Sequence, residues 1–421
     1  MKSLTTNHKN STNCLQNGQI ILVLNRWDDD FAKYHEYIDH TKHKVVYLTT
    51  PSGRKAIRED LAASIYELVS LTDKSRLLEC SKEVILCFGG IDKIIALSEY
   101  DLESAAFLRD ELRLKGTNSE QVKLYKDKVV MKRRLQEKGL RIPSFIECNN
   151  PADVISFSER VNYPLILKPK VGAASKGVYR VLCNSEMFPL LKSIGTNIYE
   201  CEEYVRGTVL HIDGLVKNQE TIFLKASKYI NTCLAFNYGV PLGSVIIDDV
   251  VLNKRIKDFT SEILEGLELS DSAFHLELIH SESDEIVFLE LNARVGGGEI
   301  PFLIRDLFSM DLVATWVRIQ MEDDSLKHLS DSHDIGGWLM IPEPQQVPCK
   351  VINCPSLIGR VPCLYREIIP KNGDIFDGQG GFEYISGRFY FKGQSSKEVE
   401  EAIFLVLSLF EIETSPIASH S

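Results

Sequence analysis

The stretch Phe288-Leu-Glu-Leu-Asn-Ala-Arg-Val-Gly-Gly-Gly-Glu-Ile-Pro301 constrains this chain more than any other. Residues 286–291 are mostly apolar and partly β-branched, which predicts a buried strand. Glu290, Asn292 and Arg294 are spaced by two, and a strand turns such residues to one face. A carboxylate, an amide oxygen and a guanidinium on one face fit a site where the first two hold a hard cation and the third meets an anion. Gly296, Gly297 and Gly298 follow at once, where a backbone comes close to something. The plainer reading is an ordinary strand running into a glycine-rich turn, so the rest of the chain has to decide.

A chain of 421 residues is long enough for two or three domains. Its net charge of -11 argues against broad binding to nucleic acid or to an anionic membrane. No apolar run approaches the roughly 18 residues of a membrane span. Residues 1–17 are polar, lack the apolar core of a signal peptide, and are expected to form a flexible arm. The ten cysteines are scattered, with Cys87, Cys183 and Cys233 in or beside apolar runs, as suits thiols in a reducing cytoplasm. Cys349, Cys354 and Cys363 match no zinc spacing.

Taken in order, the first third alternates strands and helices. Strands are expected at 18–25, 44–49 and 84–88, and helices at 31–40, 57–71 and 102–114. That alternation indicates a parallel α/β layer. No GxGxxG follows the first strand, so a dinucleotide site is not expected. A charged helix spans 123–138 and Gly139 closes it. Residues 163–169 and 178–182 read as two strands of a hairpin with a small-residue tip, and 199–205 as a further extended segment ending at Gly207. Strands follow at 221–228, 244–249 and 273–279, a helix at 254–264, and one long helix at 303–320. Residues 322–334 look like a polar linker, and the remainder is strand-rich with a closing helix at 399–410.

Four elements belong together chemically. The first is Asp127-Lys128. The second is Lys168 with the loop from Gly172 to Gly177, where two lysines, Lys176 and loop N–H groups can neutralise and cover a polyphosphate. The plainer reading of any one lysine is a solvated one. The third is Glu202-Glu203-Tyr204-Val205, whose backbone could pair with an adenine edge, with His211 and Asp213 following at strand spacing toward a ribose. The fourth is Glu277 with Glu290 and Asn292: a turn at 281–284 would set Glu277 beside Glu290, and like charges so close need a cation between them. His275 shares a strand face with Glu277, and could assist a nucleophile or simply be a satisfied core histidine.

In order and spacing these pieces resemble the ATP-grasp superfamily over residues 115–320. The matching residues are Asp127-Lys128, Tyr163-Pro-Leu-Ile-Leu-Lys168, the loop to Gly177, Glu202-Glu203-Tyr204-Val205, Glu277 and Glu290-Leu-Asn-Ala-Arg294. The run from Asn292 to Pro301 and the phrase Ala96-Leu-Ser-Glu-Tyr-Asp101 are similar to the carboxylate–amine ligases related to L-amino acid ligases, with a biotin carboxylase-like architecture. The resemblance implies that Lys128, Lys168, Lys176 and Gly177 bind the phosphates of ATP, and that Glu202, Glu203 and Val205 hold the adenine. Glu277, Glu290 and Asn292 would bind Mg2+, two ions with Mn2+ as a substitute, while Arg294 serves the reaction. Many members carry Gly-x-Glu after the hinge. Here the stretch is Gly207-Thr-Val-Leu-His211, so His211 would take the ribose.

The fold class expected is therefore α/β and α+β multidomain. An N-terminal parallel α/β (pre-ATP-grasp) domain at 18–115 precedes a two-lobed ATP-grasp domain at 116–325, whose lid lobe lies at about 141–206, and a small strand-rich C-terminal cap at 335–414. The implied activity is ATP-dependent amide or peptide bond formation through an acyl phosphate, with amino acids as the small-molecule carboxylate and amine substrates, in the cytoplasm. Loading of an amino acid onto a carrier-protein thiol, carboxylation with bicarbonate, a nucleotide sensor without turnover, and a homodimer stay open.

Overall fold

The structure, a computed structural model, describes residues 18–194, 198–323, 325–326, 333–378 and 385–417. The arm expected at 1–17 and much of the expected linker lie outside the described residues. The chain divides after Thr117 into two units.

The first unit is a four-stranded parallel sheet, ordered β3-β2-β1-β4. Its elements are β1 (Ile20–Asn25), α1 (Tyr34–Tyr37), β2 (Lys44–Thr49), α2 (Pro51–Arg54), β3 (Ser64–Glu67), α3 (Lys74–Phe88), β4 (Lys93–Ala96) and α4 (Leu102–Leu112). Two expectations fail here. Residues 57–71 are not a helix: 64–67 pair in parallel with β2, Val46 opposite Ser64, and the sheet's demand for a partner overrides a helix-compatible apolar spacing. Residues 84–88 are not a strand but the last turns of α3. Asp73 caps that helix by accepting from the Arg76 N–H, and Gly89 ends it in the left-handed region at φ 91. Val84 is buried while Leu86 is 84% exposed and Cys87 is exposed, a helical rather than an alternating pattern. The helix expected at 31–40 is reduced to one 3-10 turn and α1.

The second unit opens with α5 (Ser119–Lys126) and α6 (Lys128–Glu137), where one helix was expected. The break is Asp127, at φ -90 and ψ 108, whose carboxylate accepts from the Val129 and Val130 N–H groups and starts a new helix at Lys128. Next come β5 (Phe145–Glu147), α7 (Pro151–Val161), β6 (Leu165–Pro169), β7 (Tyr179–Val181), α8 (Asn184–Ser193) and β8 (Tyr199–Glu203). They form an antiparallel sheet, β5-β8-β6-β7, packed through Leu165, Leu167 and Cys201 against Val154, Phe157, Met187 and Leu191 of its two helices.

The larger sheet is built from β9 (Gly207–Lys217), β10 (Glu220–Ile230), β11 (Leu242–Ile246), β12 (Ser272–Ser281) and β13 (Ile286–Asn292), with α9 (Cys233–Phe236) and α10 (Val250–Gly266) between. After α11 (Ile300–Phe308) and α12 (Leu312–Gln320), the C-terminal strands β14 (Ile335–Pro342), β15 (Cys349–Asn353), β16 (Leu364–Ile368), β17 (Ile375–Phe376), β18 (Ile385–Gly393) and β19 (Glu413–Pro416) surround α13 (Ser396–Leu409). The helix expected at 303–320 is two, because Ser309 takes a left-handed φ of 53 and Asp311 caps the second by accepting from the Ala314 N–H. Three C-terminal strands extend the large sheet, ordered β13-β12-β9-β10-β11-β14-β18-β16, and β17-β15-β19 form a small separate one. Among the described residues no helix is long and apolar enough to cross a membrane.

Candidate active site

A cleft of about 290 Å³ lies in the second unit. It is lined by Lys128 at the start of α6, Lys168 on β6, the loop 172–178, residues 202–205 after β8, and Glu277 and Glu290 on the large sheet. Each of these positions follows from local structure. The Asp127 break points the first residue of α6 at the cleft, and β6 carries Lys168 out of an apolar run in which Leu165 and Leu167 are fully buried. The loop between β6 and β7 holds Ala174, Ser175 and Gly177 at φ 55, 54 and 72, a left-handed run that exposes successive backbone groups.

The strand register sets the acidic floor. In the β12–β13 pair Glu277 lies opposite Glu290 and His275 opposite Asn292, with a bulge just after Glu277. The Asn292 amide donates to Glu290 Oε1 at 3.4 Å, which leaves its oxygen available as an acceptor. Two carboxylates and an amide oxygen on adjacent strands are a hard-oxygen set suited to Mg2+.

The lysines meet these acids directly. Lys128 Nζ lies 2.8 Å from Glu290 Oε2 and donates to the Gly172 carbonyl at 3.1 Å. Lys168 Nζ lies 2.8 Å from Glu202 and 3.7 Å from Glu200. Burial would raise the Glu290 carboxyl, but the Lys128 and Lys168 ammoniums outweigh it and hold it down at about 2. Burial would likewise lower Lys168, yet Glu202, Glu200 and Glu290 hold it above the ordinary lysine range. Both lysines are nearly buried, so the reading of them as solvated does not hold.

Sequence reasoning missed Lys132 and Glu200. Lys132 is fully buried one turn beyond Lys128, 2.9 Å from Glu200 and 2.5 Å from Glu202, with its ammonium 4.7 Å from the Phe145 ring centre. The signal was present in the spacing: i and i+4 on a helix, i and i+2 on a strand. Burial raises the Glu200 carboxyl above its usual range against the opposing lysines, whereas Lys132 and Lys168 overcome the same burial at Glu202 and lower it. Lys132→Met is therefore expected to cost about 3 kcal/mol, because breaking a buried ion pair from one side strands the other. The check is the urea midpoint at unchanged slope. Adding Glu200→Gln should return part of the loss, and an unchanged midpoint in Lys132→Met would refute the network.

The remaining expected residues fall in three places. Residues 202–205 line the cleft, but the Glu202 side chain is committed to lysines, and Glu203 accepts from Arg141 at 3.1 Å and from the Ser144 N–H at 3.0 Å. Only their backbone is left for a base edge. Lys176 and neighbouring Ser175 reach the cleft from the loop, and Arg180 stacks its guanidinium 4.2 Å from the Tyr204 ring beside them. Asn292 and His275 face each other further along the β12–β13 pair, Arg294 and the three glycines follow after the end of β13, and none of them is in the cleft's own lining. Arg294 is half-buried and donates to the Val295 carbonyl at 2.9 Å.

His211, expected at the ribose, has other partners here. His211 does not line the cleft: its Nδ1 is 2.6 Å from Asp213 Oδ2 and its Nε2 is 2.6 Å from Ser244 Oγ. Both ring nitrogens are engaged by side chains within the sheet. Asp213 Oδ1 in turn lies 2.9 Å from His275 Nδ1. Burial would lower His275, but Asp213 outweighs it and raises the imidazole to about 9. His211, Asp213 and His275 have the composition of a metal site. Their donor–acceptor separations are those of hydrogen bonds, shorter than the roughly 3.3 Å between ligand atoms around one zinc ion.

A cleft between two antiparallel sheets, with lysines on one wall and paired acids on the floor, suits a polyphosphate with a divalent cation. Residues 125–298 match the ATP-grasp domain family. It is 22% identical over 399 residues to the L-arginine-specific L-amino acid ligase of Bacillus subtilis, covering 92% of this chain and 95% of that one. Its fold is similar to that of an L-amino acid ligase from Bacillus licheniformis, with a TM-score of 0.73 at 17% identity, covering 94% of this chain and 98% of the other. It is also similar to the biotin carboxylase domain of the Hydrogenobacter thermophilus 2-oxoglutarate carboxylase bound to MgADP and bicarbonate. There the TM-score is 0.64 at 13% identity, over 94% and 91% of the two chains.

Proposed function

We propose that this chain is an ATP-dependent ligase that joins a carboxylate to an amine, with amino acids as substrates. The reading rests above all on the Lys128–Glu290 and Lys168–Glu202 pairs, which stand where a polyphosphate and its cation would exchange partners with them. A polyphosphate takes the two ammoniums, Glu290 is released to the cation, and no charge is stranded. Glu277, Glu290 and Asn292 would hold Mg2+, as two ions or with Mn2+ in its place. Bound there, the metal neutralises phosphate oxygens and keeps them in line for transfer.

The chain's own residues do the rest. Lys128, Lys168 and Lys176 with the Gly177 backbone bind the phosphates, and the backbone of Glu202, Glu203 and Val205 takes the adenine edge. A carboxylate oxygen of the first substrate bonds to the γ-phosphorus as its bond to ADP breaks. The amine of the second bonds to the acyl carbon, loses a proton, and expels inorganic phosphate. Arg294 meets the charge that develops on the phosphoryl group and then the acyl phosphate. His275 attends the amine, and the backbone of Gly296, Gly297 and Gly298 leaves room for a carboxylate. The sheet β5-β8-β6-β7 acts as the lid lobe within 141–206, and the C-terminal strands from residue 335 act as a cap. The setting is cytoplasmic, which suits the nine described cysteines as free thiols.

The test is ADP release with amino acids singly and in pairs, with hydroxylamine added to capture the acyl phosphate as a hydroxamate. ADP and hydroxamate that depend on one particular amino acid support the reading. ADP only with added bicarbonate would replace it with carboxylation, and ADP only with a carrier protein would replace the amine by a thiol. The same preparation reports whether the active species is a homodimer.

The loop gives a separate prediction. Its Ala174 carbonyl accepts from Asn237 Nδ2 at 2.9 Å and its Gly172 carbonyl from Lys128, so phosphate binding removes one of the two ties. Hydrogen exchange at 171–178 should slow by at least about tenfold with an ATP analogue and Mg2+, as a lid closes. Exchange unchanged by the nucleotide would rule out a closing loop.

A further inference from the structure

The large sheet contains a continuous hydrogen-bonded chain of four side chains that the cleft itself does not use. Its members lie on three strands, with β10 between two of them. Ser244 on β11, His211 and Asp213 on β9, and His275 on β12 are joined by contacts of 2.6, 2.6 and 2.9 Å. All four residues are buried, with relative exposures of 1%, 2%, 1% and 6%. The register sets them side by side: His275 lies directly opposite Asp213, and on its other side opposite Asn292.

Elementary donor and acceptor chemistry orders this chain. An ionised Asp213 only accepts, so both histidines must present a proton at Nδ1. His211 Nε2 then meets the Ser244 hydroxyl, which can give or take a hydrogen bond. Asp213 therefore uses one oxygen to hold His275 and the other to be held by His211. What it leaves outward is His275 Nε2, which lies 3.7 Å from Glu277 Oε1.

Gly296 closes the arrangement from a fourth side. A Cβ at that position would sit 2.3 Å from Asp213 Oδ1 and 3.0 Å from His275 Nδ1, on the hydrogen bond itself. The first glycine after Arg294 is thus required where the backbone rests on the Asp213–His275 pair, whereas a Cβ at Gly297 would meet nothing.

We propose that Asp213 and His211 are positioning residues for the ligase reaction: they fix the His275 ring with Nε2 turned toward the Glu277–Asn292 end of the sheet, and Gly296 makes space for that bond. The kinetic part of this inference rests on the ligase reading, while the geometric part does not. An oriented ring is worth having where a substrate must meet Nε2, because a ring free to rotate presents that nitrogen only part of the time.

Two measurements test it. Nitrogen-15 histidine spectra of the whole protein should show protons on Nδ1 of both rings, shifted downfield by a carboxylate, with both signals lost in Asp213→Ala. A ring lacking its Nδ1 proton would overturn the proposal, as would zinc that co-purifies at one ion per chain and is lost in His211→Ala. For the kinetics, Asp213→Asn keeps the shape but places an amide donor against one ring nitrogen. Amide formation should fall by about 10- to 100-fold, with the ATP dissociation constant moving by less than about threefold. In a His275→Ala background the same change should add less than about twofold, because the two act as one unit. Full additivity would overturn the proposal, since independent structural damage adds. Gly296→Ala should reproduce the Asp213→Asn loss. If the wild-type protein makes no hydroxamate with any amino acid, the ligase reading fails, and the spectra still decide whether the relay exists.

Discussion

Glu290→Gln is expected to reduce ADP formation by at least about a thousandfold, roughly 4 kcal/mol of transition-state stabilisation. The substitution keeps size and one oxygen but removes the charge that faces Lys128 at 2.8 Å. With the carboxylate gone, two lysines remain to hold phosphate while the metal loses a principal ligand. The variant should therefore bind ATP without magnesium at least as well as the parent does, yet gain little from adding it. Calorimetry with and without Mg2+, beside an ADP assay, separates these effects. The fold should persist, because Lys128 keeps the Gly172 carbonyl as a partner and is at the edge of the cleft. Near-normal turnover in Glu290→Gln would remove Glu290 from the metal site.

The second large effect is expected at Arg294. Arg294→Ala should lower hydroxamate capture by about 100-fold or more while ATP affinity stays within about tenfold, a change of about 1.4 kcal/mol. The residue lies two positions past Asn292 and beyond the lining of the ATP cleft, so its loss should leave the adenine and phosphate contacts alone. A guanidinium aimed at charge that appears only in the transition state is missed in turnover rather than in ground-state binding. Equal losses in ATP affinity and hydroxamate formation would instead make Arg294 a ligand of ATP.

The outcomes at individual residues explain what was readable. Glu277 and Glu290 could be set opposite each other from the chain alone, because a short turn between two apolar strands leaves few registers that keep the apolar faces buried. The hairpin around the loop at 172–177 was legible for the same reason, and its glycines marked the tip. The helix expected at 57–71 and the strand expected at 84–88 failed because their apolar patterns are short, and a short run fits either period. What chose between them was a sheet edge available at β2 for one segment, and caps at Asp73 and Gly89 for the other.

His211 shows the remaining limit. Its place two residues before Asp213 was visible, and suggested one outward face. Only the assembled sheet brings Ser244 and His275 from strands far apart in sequence to close both of its nitrogens. Lys132 is similar: a lysine on a charged helix reads as solvated until β8 supplies two buried carboxylates. Local chemistry is written in the chain: which residues share a strand face, where the backbone can turn, and that Glu277 meets Glu290. Which partners neutralise which charges depends on the assembled sheets, because the energy of a buried charge depends on groups within a few ångströms whatever their separation along the chain.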